Sequence, residues 1–236
     1  MKAEDRIRKT LEVIDSKDDF INPWRSYDFR DGLVLKVDEN ILIKDETLKN
    51  KILWKDEKGI SDYQIPVPIN GNYLKAKYLL LYSNPGTEKS KIKETKDRLL
   101  KCFRLDKDAE LVLPNLQWEN WYIGELDKFY TKKTDDNDLL NWEEFSSEFC
   151  FINFLAYPTE KDRFNFNVKE LKKIKELPST VFAEKLVKIG IDAGKEIIVI
   201  RRSEGVWKHS DFNKNHLFKK LKHSYDEYLN DKENKR

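Results

Sequence analysis

Three short runs, YLLLYS at 78–83, FCFINFLAY at 149–157 and EIIVIR at 196–201, constrain this chain more than anything else in it. In each, large apolar side chains follow one another without the polar alternation of a half-exposed strand. Such segments suit a sheet covered on both sides by helices, so they predict neighbouring parallel strands. Helix-period segments lie between them. Residues 90–105 place Ile92, Leu99, Leu100 and Phe103 on one side and lysines on the other, and 138–148 and 168–176 read as further helices. In STVFAEKLVKIGIDAGK, Ser179 after Pro178 reads as an N-cap and Gly194 as the stop. Strand and helix in alternation predict an α/β fold, a three-layer α/β/α sandwich with a short central parallel sheet.

The flanks read differently. Ile7, Leu11 and Ile14 recur at helical spacing, so an N-terminal helix is expected over about 3–13. DGLVLKVDENILIKDETL alternates in short β-prone runs broken by Asp31-Gly32 and Asp38-Glu39-Asn40, which predicts a small β-hairpin or meander. Pro66, Pro68 and Asn70-Gly71 then force an extended, turn-rich lead-in to the first core strand. At the other end LFKKLKHSYDEYLNDKENKR reads as a helix decaying into a charged tail. The expectation is a single domain over 1–236: an N-terminal helix and β extension over 1–60, an α/β core over 61–205, and a C-terminal helix and tail over 206–236.

Acids and bases nearly cancel, with 43 Asp and Glu against 45 Lys and Arg. Bulk charge therefore makes no case for a nucleic-acid partner, and any such partner has to be argued from a site. Only Cys102 and Cys150 occur, and Cys150 sits inside an apolar run, which argues against a disulfide framework. No apolar run approaches the ~20 residues of a membrane span. A cytoplasmic protein that does not engage a membrane is the expectation.

The first core run halts at Ser83-Asn84-Pro85-Gly86. In a parallel sheet ligands sit at the carboxyl ends of strands, and Asn84 falls there. Pro85 biases Asn84 toward extended backbone and Gly86 admits a tight bend, so a polar amide is held on a stiff mount. The second run carries Asn153 among apolar neighbours. Burying that amide costs on the order of 1–3 kcal/mol unless it is paired, so it needs either a structural partner or a ligand. An amide offers a donor and an acceptor together, which suits the hydrogen-bonding edge of a nucleobase.

With these residues in place, the chain resembles the uracil-DNA glycosylase superfamily, above all its mismatch-specific, thymine-DNA and single-strand-selective branches, whose first motif is G-x-N-P-G. The resemblance spans about residues 65–205. It implies a central four-stranded parallel sheet between helices and hydrolysis of the bond joining a base to deoxyribose. It also implies catalysis without metal or cofactor, and DNA as partner. Asn84 would position the attacking water, Asn153 would read the extruded pyrimidine, and Ser83, Pro85 and Gly86 would border the base. Tyr82 and Tyr157 are candidates to sandwich the base.

Two departures stand out. Tyr82 occupies the place of the motif's glycine, and no His-Pro-Ser motif follows a fourth strand. His209-Ser210 is the nearest match, without the proline. His209, His216 and His223 fall seven apart, about 10.5 Å of helical rise, too far to share a metal ion. Lys89, Lys91, Lys93, Lys96 and Arg98, with Arg201, Arg202 and Lys208, form a candidate phosphate-guiding strip, and Trp118, Trp121 and Tyr122 a candidate stacking platform. A non-catalytic nucleic-acid or nucleotide-binding protein of the same fold, and a protein-interaction module, are the competing readings.

Overall fold

The computed structural model describes residues 5, 7, 9–10, 22–25, 27, 34–52, 66–85, 92–110, 148–159, 165–199, 203–208 and 219–220. The three apolar runs are strands β2 (Tyr78–Tyr82), β3 (Phe149–Asn153) and β4 (Glu196–Val199). They lie side by side and parallel with β2 in the middle. A short β1 (Ile69–Asn70) joins β3 antiparallel, and β5 (Lys219–Lys220) joins β4 parallel, giving a mixed sheet in the order β1-β3-β2-β4-β5. Four of its strands are therefore parallel, and the fourth, β5, corrects the expectation of a helix at LFKKLKH, because Lys219 and Lys220 pair with Ile198 and Val199 of β4.

Both faces of the central strands are buried, as parallel pairing requires. Leu79, Leu81, Cys150, Ile152, Ile197 and Val199 turn one face to a core shared with Phe182, Leu186 and Val187 of helix α5 (Pro178–Asp192). Tyr78, Leu80, Tyr82, Phe149, Phe151 and Ile198 alternate with them on the other face and are buried as well. There Tyr78 stacks on Phe149 at 4.9 Å, and Tyr82 lies 5.5 Å from Phe151. Each such side chain contributes about 1.5–3 kcal/mol by leaving water. Helix α5 can lie this close to β2 because of Gly190: a Cβ there would meet Leu79 Cδ1 at 2.5 Å. The helix then ends as expected, with Gly194 at φ +86° and the amides of Gly194 and Lys195 closing on Ile191 and Gly190.

The β extension expected before residue 60 is corrected. Residues Lys36–Lys44 form α1 and Glu46–Ile52 form α2. Leu35, Asp38 and Leu42 are spaced three and four apart and all three are buried, so they line one helical face. The apparent alternation of LVLKV and ILI loses to that burial. Asp45 separates the two helices and accepts from the Leu48 amide at 3.0 Å. Asp5, Ile7, Lys9 and Thr10 are helical, as expected, and Ile7, Leu42, Leu48 and Ile52 belong to the same core as the strands.

Helices α3 (Ile92–Phe103) and α4 (Val168–Glu176) match their expected segments, and α6 (Glu204–Trp207) follows β4. Asn167 and Glu170 cap α4 reciprocally. The cap of α5 is a second correction: Leu177, not Ser179, is its N-cap, Pro178 begins the helix, and the Ser179 amide donates to Asp38 at 3.0 Å. Of the expected helix over 138–148, only Glu148 is among the described residues. No described helix is long and apolar enough to cross a membrane.

Candidate functional site

The register places the two asparagines at one end of the sheet. Asn153, the last residue of β3, is the Cα partner of Tyr82, the last residue of β2, on strands about 4.8 Å apart. The ladder runs on past the strands: the Phe154 amide donates to Tyr82 O and the Leu155 amide to Ser83 O, each at 2.9 Å. Asn84 follows two residues beyond Tyr82, so both carboxamides stand at the carboxyl edge where β2 and β3 end.

The local bonds settle which way each amide points, because a carbonyl oxygen can only accept. Asn84 Nδ2 faces Pro85 O at 3.0 Å and Thr159 Oγ1 at 3.1 Å. Both of its hydrogens are thus used within the chain, while Oδ1 receives the Ser83 hydroxyl at 3.1 Å and keeps a second lone pair. Asn153 Nδ2 donates to Val67 O at 2.8 Å, and its backbone amide donates to Pro68 O. The partner that a buried asparagine demanded is therefore the turn-rich lead-in, and it takes one of the two amide hydrogens. Ser83 and Asn84 are half-buried, while Asn153, Pro85 and Thr159 are buried. These side chains are uncharged at neutral pH. They can orient a water or an amide-like edge, and none of them holds a titratable proton near neutrality.

The aromatic candidates are taken up by the core. The Tyr82 ring lies along the second sheet face against Phe151. Its carbonyl also accepts from Trp207 Nε1 at 2.9 Å, which ties α6 to the end of β2. Tyr157 has no exposed surface. Its hydroxyl donates to Asp38 Oδ2 at 2.8 Å and accepts from the Leu35 amide at 3.1 Å. Burial pushes the Asp38 carboxyl above its ordinary value, and the bonds from Ser179 and Tyr157 pull it part of the way back.

Gly86, His209, Ser210, Lys89, Lys91, Arg201, Arg202, Trp118, Trp121 and Tyr122 lie outside the described residues, as do the side chains of Lys93 and Lys96 on α3. Arg98 is exposed and paired with Glu110 at 3.3 Å, and Lys208 is exposed two residues before Ser210. Two participants escaped the sequence reading. Thr159 touches Asn84 across 75 residues and Trp207 touches Tyr82 across 125. Only the position of Thr159 two residues past the apolar run 149–157 hinted at its place. Comparison with protein-family models, curated proteins and solved structures finds no match to this chain.

Proposed function

We propose that this chain is a uracil-DNA glycosylase-like protein, which takes a damaged or mismatched base extruded from DNA against the rim between Asn84 and Asn153 and hydrolyses its N-glycosidic bond. One observation carries the reading: adjacent parallel strands end in register at Tyr82 and Asn153, with Asn84 two residues beyond Tyr82, so that two carboxamides stand at one edge of the sheet, each tied down by the chain and each with hydrogen-bonding capacity to spare. Asn84 Oδ1 accepts a hydrogen of the attacking water. The water oxygen bonds to C1′ as the C1′–N bond breaks, the base leaves with the electron pair, and the water's proton passes to solvent. Asn153 offers its free N–H and its Oδ1 to the base edge, and extrusion costs a few kcal/mol that a mismatch reduces. Four parallel strands, of which β2, β3 and β4 are buried on both faces, fit the three-layer architecture that the resemblance implies.

Charge on the departing base needs a further group. The parallel β5 ends at Lys220 and the chain continues Leu221-Lys222-His223-Ser224, so His223 joins His209 as a candidate for that task. The neutrality of the rim side chains favours a second reading, base binding without cleavage.

Incubation with uracil-containing and mismatched oligonucleotides, single- and double-stranded, separates the two. The first reading expects an alkali-labile abasic product that Asn84→Ala abolishes. Salt-sensitive binding without product supports the second, and neither product nor binding refutes both.

A further inference from the structure

The N-terminal helices reach the rim through one buried carboxylate. Asp38 on α1 is fully buried, with one oxygen on the Ser179 amide at the start of α5 and the other on the Tyr157 hydroxyl. Tyr157 belongs to the segment 154–159 that leaves β3. That segment is laced to β2 by the Phe154 and Leu155 amides and ends at Thr159, which holds the Asn84 amide. Its backbone also meets the lead-in, where the Val67 amide donates to Ala156 O at 2.6 Å. The Tyr157 hydroxyl is held from two sides, donating to Asp38 and accepting from the Leu35 amide. A side chain gripped at its far end by a different helix cannot swing, and here its backbone lies two residues from Thr159.

We infer that Asp38 is a positioning residue for the rim, acting through Tyr157 to hold Thr159 against Asn84, so that α1 is a working part of the site. The catalytic half of this inference rests on the glycosylase reading; the mechanical half does not. A carboxylate serves this position because it accepts twice, from a helix-start amide and from a hydroxyl, whereas an amide or an apolar residue leaves at least one buried donor unmet. Misplacing a water-orienting group by about 1 Å costs on the order of 100-fold in rate.

The test uses the full chain and two variants, Tyr157→Phe and Asp38→Asn, read first by amide hydrogen exchange under native conditions. The inference expects the Phe154 and Leu155 amides to exchange at least about tenfold faster in both variants, while the Val181 amide inside α5 changes less than about twofold. Equal acceleration at all three sites means a global loss of stability and overturns it, as does unchanged exchange at Phe154 and Leu155. The second readout is abasic-product formation, where kcat is expected to fall roughly 10- to 100-fold with KM within about twofold. If the unaltered chain makes no product, the glycosylase reading fails, and the exchange result alone still decides whether Asp38 positions the rim.

Discussion

Asn153→Asp is the sharpest probe of the rim, because it changes one atom and almost no volume. Asn153 Nδ2 donates to the Val67 carbonyl at 2.8 Å from a buried position. A carboxylate there puts an acceptor against an acceptor. The variant loses a hydrogen bond of about 1 kcal/mol and leaves a buried carbonyl facing like charge, which adds about 1–2 kcal/mol, for a total of about 2–3 kcal/mol. For a chain of this length that lowers Tm by about 5–10 °C. The same geometry sets the pH dependence. Burial and the facing carbonyl raise the new carboxyl above the ordinary value of about 3.9, and once protonated it offers Val67 an O–H. A folded value above the unfolded one means that the deficit is full at high pH and shrinks as pH falls through the folded value. Urea unfolding of the variant beside the unaltered chain at pH 7.5 and 4.5 measures both effects. Equal stability at pH 7.5, or a deficit that does not shrink at 4.5, refutes the assigned amide orientation.

Three further outcomes follow from the packing. Gly190→Val drives a branched side chain into Leu79 and is expected to cost at least about 2 kcal/mol in urea unfolding, more than the gain in helix propensity returns; a stabilised variant contradicts the close approach of α5 to β2. The stability margin of the unaltered chain over Asp38→Ala is expected to be larger at pH 4.5 than at 7.5, because burial raises that carboxyl in the folded state and its share of stability is lost as pH climbs through the raised value; a margin that grows with pH overturns the direction. Burial pushes the Cys102 thiol up to about 11 and also raises Cys150, so a thiol reagent at pH 8 is expected to label neither in the folded protein and both in urea; rapid labelling of the native chain contradicts this.

The central sheet was legible because burial on both faces leaves a continuous apolar run, and β2, β3 and β4 all began where those runs began. Their ends were less so. Phe154, Leu155, Ala156 and Tyr157 are as apolar as a strand but leave it, and no local signal separates a buried strand from a buried exit. Helices α1 and α2 were misread because two principles compete in LVLKVDENILIK. β-Branched clusters favour strand, while Leu35, Asp38 and Leu42 share a helical face. Asp38 looked like turn chemistry because the groups that satisfy it, Tyr157 and Ser179, lie 119 and 141 residues away. Asn84 was legible as a polar residue at a strand end and Asn153 as a lone polar residue inside an apolar run; that β3 stops at Asn153 is visible only in the folded chain. Which atoms of their amides remained for a ligand depended on Pro85, Thr159 and Val67, and that is a property of the folded chain.

The side-chain amide resonances of Asn84 and Asn153 report on the rim directly. Titration of isotope-labelled protein with a uracil-containing single-stranded oligonucleotide, with Asn84→Ala and Asn153→Ala supplying the assignments, should move both pairs of signals along one saturation curve. Binding that leaves both pairs in place, or moves only one of them, would contradict a shared grip on a single base.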